Sequence, residues 1–312
     1  MPVVVAAAPA AAGRWDLMLT YALERCPVCG SGRAADEVLG DTAVLQRCAE
    51  CALVYAPEYA DPSEIYIEGY LTGGGRFGID TSAPAFQQYL AGATAERARL
   101  VTAAVGRPGR LLDVGCGSGE FLEQARRQGW DVQGVEPEEG AAEVARARGV
   151  PVVTGLVQDS GLPEHAFDVV AANHVLEHMV DPIDFLRLLS RWVRPGGHLA
   201  LECPNFDSDQ RRRRGGAWPH LRPLEHVVHF TPETLRDVLV RAGLEPVQVV
   251  TPTYLAPPQT VAQALGDLCR EERAPYLRRL PQRVGWWGCQ VLERRQRRRG
   301  AGAVVVAVAR VD

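Results

Sequence analysis

Lysine is missing from this sequence: every one of its 34 basic residues is arginine. No single chemistry would exclude lysine everywhere, and the chain is also rich in alanine, so the bias is read as one of coding and carries no functional weight. A surplus of positive charge is missing as well. The 34 basic residues stand against 38 acidic ones, for a formal net charge of -4. That argues against a generally basic nucleic-acid binder, although arginine clusters at 211–214 and 293–298 keep that partner open. No apolar run approaches the ~20 residues that cross a bilayer, so no membrane span is expected. The N-terminal MPVVVAAAPAAAG has the apolar run and small-residue end of a signal peptide but lacks the basic residues that precede one. Residues 1–20 are therefore expected to be a disordered leader. No internal repeat is visible.

At 312 residues, 46% hydrophobic and 23% charged, the chain is of ordinary globular composition and long enough for one large domain with an appendage or for two domains. Of its eight cysteines, four stand alone at 116, 203, 269 and 289 and four form two tight pairs, in CPVCG and CAEC. Cys26 and Cys29, then 18 residues, then Cys48 and Cys51 give the spacing of a four-thiolate zinc site. Each C-x-x-C turns two sulfurs toward one tetrahedral ion, and the residues between form a hairpin, so a zinc ribbon is expected over 21–60, with a structural ion that leaves no open ligand position. Four thiolates around Zn²⁺ leave a local charge of about -2, for which Arg25, Arg47 and turn N–H groups are the expected partners. Gly30 follows the first pair, but Ala52 follows the second, a departure expected to strain that turn. Reduced thiols also point to the cytoplasm.

Residues 61–107 read as a linker and helical lid, with a helix over 85–105 that Gly106, Pro108 and Gly109 stop. From Arg110 onward short β-rich runs alternate with helical segments, the signature of crossover units on a parallel sheet. Strands are expected near 110–114, 131–135, 151–154, 167–172, 197–203, 244–250 and 303–309, with helices near 118–128, 138–148, 181–192 and 232–242. The fold class is thus α/β, a doubly wound, mostly parallel sheet of seven strands. Asp181 before Pro182 and Thr231 before Pro232 mark two helix starts. The alternation is interrupted at 207–230, rich in arginine, proline and histidine, and by a partly helical insertion at 255–300.

The stretch LLDVGCGSGEF runs from a strand into a helix, so Gly115, Gly117 and Gly119 occupy the turn between them. Bare backbone there permits positive φ and close approach of a ligand, and the helix start offers free N–H groups to a carboxylate or phosphate. The third glycine is displaced from the dinucleotide fingerprint G-x-G-x-x-G. A diphosphate would sit poorly beside Asp113 and Glu120, whereas a ligand carrying an ammonium as well as a carboxylate tolerates both acids, and S-adenosylmethionine is such a ligand. Glu136, 23 positions after Asp113, ends the second strand, where a carboxylate accepts both ribose hydroxyls.

On LLDVGCGSGEF, VQGVEP, FDVVAANHVLEH and LRLLSRWVRPGGHLALECPN the sequence resembles the class I S-adenosylmethionine-dependent methyltransferases, over roughly 108–250. The resemblance implies a Rossmann-like methyltransferase domain over 108–312, with 207–230 as substrate cover. It also implies that Asp113, Gly115, Cys116, Gly117 and Gly119 hold the methionine portion, and Glu136 with Pro137 the ribose. Leu156 to Asp159 would line the adenine, Val157 or Gln158 stacking or bonding and Asp159 as the charged partner, and Asn173 and His174 would sit beside the sulfonium. With the ribbon ahead of this core, the chain resembles bacterial small-molecule methyltransferases, including deoxysugar C-methyltransferases and ubiquinone-type O-methyltransferases. It departs from the sugar enzymes, which carry a longer C-terminal domain than 255–312 provides.

Methyl transfer is an in-line displacement that also requires removal of a proton from an O–H, N–H or acidic C–H acceptor, and histidine is the natural base near neutral pH. The candidates are His174 and His178 in NHVLEH and His220, His226 and His229 in WPHLRPLEHVVHF, with Glu177 and Glu225 placed to orient an imidazole. Read as a helix, His174 and His178 share a face. His226 leads, because its segment follows the fifth strand at the carboxyl edge where open α/β sites form, and Trp218 and the prolines suit an acceptor cover. The other reading has the histidines of HVLEH shaping the cofactor pocket. Asp181 and Asp184 belong to a helix start rather than to a magnesium site.

The expected function is methyl transfer from S-adenosylmethionine to a small-molecule acceptor, a natural-product intermediate or sugar. Two alternatives stand beside it: an RNA methyltransferase gripping phosphate with the ribbon and arginine runs, and a non-catalytic cofactor-binding or assembly module. RRRR before Gly215 also reads as a lid clamping an anionic sugar nucleotide. The acceptor atom and the oligomeric state are not written in these residues.

Overall fold

The structure, a computed structural model, describes residues 19–39, 43–65, 69, 84–222, 224–254 and 282–312. Residues 1–18 of the expected leader, most of the linker over 61–83 and the first part of the insertion at 255–300 lie outside the described residues; Thr20, the leader's expected last residue, instead opens a strand and is buried.

The N-terminal part is β-rich, with β1 (Thr20–Ala22), β2 (Ala34–Leu39), β3 (Ala43–Cys48), β4 (Val54–Tyr55) and β5 (Glu58–Ala60). The hairpin expected between the cysteine pairs is β2 and β3, antiparallel from Ala34 opposite Cys48 to Leu39 opposite Ala43, and β4 adds to its far edge. β1 and β5 pair with each other. A short α1 (Pro62–Ile65) and a long α2 (Pro84–Val105) precede the alternating region.

That region runs β6 (Arg110–Val114), α3 (Glu120–Arg127), β7 (Asp131–Glu136), α4 (Glu139–Ala147), β8 (Val152–Thr154), β9 (Phe167–Asn173), α5 (Pro182–Ser190), β10 (Val193–Pro204), α6 (Asp209–Arg214), β11 (Val228–His229), α7 (Pro232–Arg241), β12 (Glu245–Val250), α8 (Gln282–Arg298) and β13 (Val304–Arg310). Seven of these strands form one sheet in the order β12, β13, β10, β9, β6, β7, β8. All neighbours are parallel except at β13, which runs against both β10 and β12. The central strands are apolar runs because helices cover both faces: β6 buries Leu111 to Val114, and β13 buries everything from Val304 to Ala309. Helices supply one apolar stripe each, Phe121, Leu122 and Ala125 on α3 and Ala141, Ala142 and Ala145 on α4. The two marked starts form as caps: Asp181 accepts from the Asp184 N–H at 3.0 Å, and Thr231 and Thr234 cap each other reciprocally. β10 begins earlier than its apolar run suggests, because a register shift between Val193 and His198 lets Val193 pair with Phe167 ahead of the main ladder.

β11 lies outside the seven-stranded sheet. It pairs antiparallel with β4, Val228 opposite Tyr55 and His229 opposite Val54, so the 207–230 segment completes the ribbon's sheet as its fourth strand. The cores merge accordingly: Cys26, Cys48, Leu53 and Tyr55 pack in one buried cluster with Leu112, Val114, Leu201 and Phe230.

Candidate active site

The strand order turns back between β6 and β9, so side chains at their carboxyl ends face a crevice that neither neighbouring crossover covers. Asp113 stands at one lip and Asn173 at the other, joined by a hydrogen bond from Asn173 Nδ2 to Asp113 Oδ1 of 3.0 Å. Between β6 and α3 the chain turns through Gly115, Gly117 and Gly119 at φ of 74°, 53° and 80°, values that explain the glycines. Gly134 on β7 serves the same turn: a Cβ there would lie 2.6 Å from Cys116 Sγ. The turn leans on the second strand, with the N–H groups of Gly115 and Cys116 both donating to the Val135 carbonyl. Glu136 ties it from below. Its Oε2 accepts from Gly117 N at 2.8 Å and its Oε1 from Glu138 N at 3.0 Å.

Both acids are buried, 2% and 7% exposed. Burial pushes Asp113 up to about 7, against the opposing pull of Arg97 and the Asn173 hydrogen bond. Burial likewise raises Glu136, opposed by the N–H groups of Glu138 and Gly117. Pro137 beside it is exposed, as are Gln158 and Asp159 on a 3-10 turn after β8. Val157 is 3% exposed and belongs to the core, so it is not available to stack on a ligand; Leu156, 52% exposed, is the apolar side chain that this turn presents.

His174 and His178 do not share a helical face. β9 ends at Asn173, His174 takes a left-handed φ of 55°, and only Leu176 to His178 coil, as a 3-10 turn. This bend folds His174 back between two acids, Nδ1 at 3.1 Å from Glu177 Oε1 and Nε2 at 3.0 Å from Glu202 Oε1. Burial alone would lower the imidazole, but the bonds to Glu177 and Glu202 outweigh it and raise it to about 9. Both ring nitrogens are engaged by carboxylates, surroundings that favour the imidazolium.

Glu202 on β10 anchors this arrangement. Fully buried, it accepts from Arg97 Nε at 2.8 Å, from Arg97 Nη2, from the Tyr254 hydroxyl and from His174, which outweigh burial and bring it down to about 2. Arg97 and Tyr254 were not among the residues the sequence pointed to. Arg97→Ala leaves Glu202 buried without its main counter-charge, and urea denaturation should show stability falling by about 3–5 kcal/mol; a loss under 1 kcal/mol contradicts this account of the network.

The cover brings the other histidines onto the same turn. Val227 N donates to the Glu177 carbonyl at 2.8 Å, and the His226 ring meets the His178 ring edge-on, centroids 4.7 Å apart. His226 Nδ1 lies 2.8 Å from the His220 carbonyl, which fixes that nitrogen as the protonated one and leaves Nε2 with a lone pair. His220 stacks on His174, centroids 6.0 Å apart. Burial keeps His226 well below the ordinary imidazole value and lowers His178 as well, so both are neutral at pH 7. His229 is held down to about 3 by burial and packs its ring against Phe206 and Trp218. Two buried polar atoms here take no hydrogen bond, Glu177 Oε2 and Trp218 Nε1. Buried polar atoms ordinarily have partners, which makes these two exceptions.

At the ribbon, the four sulfurs converge with Cys26 to Cys51 at 3.5 Å and Cys29 to Cys48 at 3.4 Å. These separations are far too long for disulfides. Gly30 and Ala52 both take positive φ, 71° and 60°, so the second turn carries the strain its alanine implies. Arg25 and Arg47 hold the turns rather than the sulfurs, donating to the carbonyls of Gly30 and Ala52. A turn N–H, that of Glu50, points at Cys48 Sγ at 3.4 Å. The donor set fits a tetrahedral thiophilic ion.

In the arginine run of α6, Arg211 is turned inward whereas Arg212 and Arg214 are exposed. Arg211 lies over the Phe206 ring at 4.0 Å and donates to the Phe206 carbonyl, and Arg212 pairs with Asp207 and Asp209.

Sheet order, glycine turn and paired acids define a class: an α/β protein built to hold a cofactor at the carboxyl ends of β6 and β7. A family model described as Methyltransferase domain matches residues 86–249, more than half of the sequence. The chain belongs to that methyltransferase-domain family. It is similar to the ubiquinone biosynthesis O-methyltransferase of Ruegeria pomeroyi, 35% identical over 150 residues that cover 44% of this chain and 60% of that protein. It is also similar to the Vibrio cholerae protein of the same description, 35% identical over 103 residues that cover 31% and 42%. The chain thus spans less than two thirds of the length of these relatives. Among solved structures it is similar to a SAM-dependent methyltransferase from Archaeoglobus fulgidus, at a TM-score of 0.49, 21% identity and coverage of 71% of this chain and 94% of that one. A SAM-dependent methyltransferase from Thermotoga maritima, described as a possible histamine N-methyltransferase, gives a TM-score of 0.47 at 20% identity, covering 73% and 94%.

Proposed function

We propose that this chain transfers a methyl group from S-adenosylmethionine to a small-molecule acceptor seated under the 207–230 cover, with histidine-assisted removal of the acceptor's proton. The observation that carries this reading is the juxtaposition of the glycine turn and Asp113 with the crevice holding Glu177, His178 and His226. S-adenosylmethionine, when bound, supplies an electrophilic methyl on a sulfonium. Asp113 would receive its ammonium, the bare backbone of Gly115 to Gly119 its carboxylate, Glu136 its ribose, and Leu156, Gln158 and Asp159 its adenine; Asn173 and His174 border the reacting centre. His174, already an imidazolium, takes no proton. That role falls to the Glu177, His178 and His226 group, whose neutral rings bring lone pairs to the acceptor. The four cysteines would hold a structural zinc whose task is to fix the wall that carries the cover.

Asp113 gives the cofactor assignment a pH signature. Its pKa of about 7 in the free protein must fall when an ammonium is placed beside it, so binding at about pH 6.5 should expel up to about three-quarters of a proton, fading above about pH 8. Affinity therefore rises as pH climbs toward neutrality and then levels. Calorimetry in buffers of different ionisation enthalpy measures this; an exchange of no proton separates Asp113 from the ammonium.

Radiolabelled S-adenosylmethionine, incubated with the full chain and fractionated pools of small metabolites and of RNA, tests the reaction itself. Label is expected in the small-molecule fraction. Label in RNA, with binding that falls steeply with salt, would move the acceptor to nucleic acid. Tight cofactor binding with label in neither pool would make the chain a binding module.

A further inference from the structure

We propose that Glu177, His178 and His226 bind a divalent transition-metal ion, which in turn coordinates an oxygen of the acceptor. This rests on the acceptor-site reading above and deepens it: with their lone pairs on the ion, the two histidines assist deprotonation by acidifying the bound oxygen, whose proton leaves to water, and not by taking that proton themselves. One ligand atom from each of the three residues lies within 4.8 Å of the others, and apart from the ribbon cysteines no other such group occurs among the described residues. A second observation is independent of that spacing. Glu177 is 1% exposed; its Oε1 is held by His174, and its Oε2 makes no hydrogen bond of ordinary geometry, with the buried Cys203 thiol beside the carboxylate. A buried carboxylate oxygen left without a donor is costly, more so when charged, and the rings that approach it offer lone pairs as well as protons.

Two of the three ligands are visibly oriented by a second group, as metal-binding side chains are. The His220 carbonyl fixes the His226 tautomer so that Nε2 is free to ligate, and the His174 imidazolium pins one oxygen of Glu177 while leaving the other. The third acid nearby, Glu225, is taken up by Arg222. The three ligands come from two segments far apart in sequence, the turn after β9 and the cover, which the bond from Val227 N to the Glu177 carbonyl locks together. Two imidazole nitrogens and one carboxylate oxygen suit zinc, iron(II) or manganese, whereas magnesium and calcium prefer oxygen throughout. Three protein ligands leave at least one position open. An acceptor hydroxyl entering that position would be oriented and made more acidic at once, which narrows the acceptor class to molecules with a chelating or ionisable oxygen.

The test is metal uptake by the full-length protein with its ribbon filled by zinc. Titrated with cobalt(II) alone, the wild type should take up one further equivalent and develop weak visible bands of nitrogen and oxygen ligation without thiolate charge transfer. Glu177→Gln and His178→Asn should weaken that uptake by more than the about 10–100-fold that an outer-shell change costs. Circular dichroism and S-adenosylmethionine affinity serve as the folding controls, and His178, which is only partly buried, is the gentler variant. No second equivalent in the wild type overturns the proposal, as does uptake that both folded variants retain. Failure of the acceptor-site reading looks different: a second equivalent is bound, both variants lose it, and no small molecule is methylated. Methylation by protein that holds only the ribbon metal sinks the metal site and leaves the acceptor site standing.

Discussion

His226→Gln lowers methyl transfer by about 10²–10⁴-fold, the range over which a positioned proton-transfer or ligand group is felt, while S-adenosylmethionine affinity stays within about twofold. The asymmetry follows from position. His226 touches His178 and the His220 carbonyl, on the cover side of the crevice, whereas the cofactor turn leans on Val135 and Glu136. Glutamine keeps a donor for the His220 carbonyl, so the cover should hold its shape and the loss should fall on turnover. Single-turnover assays with the labelled acceptor, beside calorimetry with S-adenosylmethionine, separate the two quantities. Unchanged turnover removes His226 from the chemistry; a parallel loss of cofactor affinity would mean that the substitution unseats the crevice as a whole.

On the proposed reading, in which the four cysteines hold a structural zinc, stripping that ion or replacing Cys48 by serine abolishes methyl transfer and leaves cofactor binding within a few-fold. Structural zinc in small peptides is worth about 10–16 kcal/mol at neutral pH, comparable with the about 5–15 kcal/mol that holds an entire domain together. Without it, the end of β3 loses its anchor, β4 follows, and β11 loses its one strand partner among the described residues. Cys26 and Cys48 sit in the main buried cluster, so the damage reaches Leu53, Tyr55 and Phe230 directly. The turn at Gly115 to Gly119 makes its backbone bonds to β7 and none to the ribbon. A chelator titration followed by both assays checks this, and full activity in demonstrably metal-free protein would show that the cysteines hold their turns unaided.

The alternating half of the fold was legible because its strands are apolar runs and its helices amphipathic, with unmistakable caps at Asp181 and Thr231. The glycine turn, Asp113 and Glu136 were legible for a related reason: close backbone approach and strand-end carboxylates leave a local pattern. The surroundings of His174 were not. Whether HVLEH coils as an α-helix or bends at its first residue depends on one φ angle, set by Glu202 and Glu177 closing on the ring, and no periodicity records it. Glu202 had a visible signal, an acid in the middle of LALECP, which demands a cation somewhere. Its partner stands 105 residues earlier on α2, and spacing along the chain does not point there. The two-residue strands β4 and β11 are likewise too short to carry an alternation.

That pairing between β4 and β11 has an engineering consequence. The cover and the ribbon share backbone hydrogen bonds, and Tyr59 bridges to Leu224 just ahead of His226. A chimera that imports a new cover from a relative, to redirect acceptor choice, would tear a sheet unless the donor's cysteine-bearing hairpin travels with it. Crossover points suited to recombination therefore bracket two distant stretches, 19–60 and 205–230, that must be exchanged as one unit.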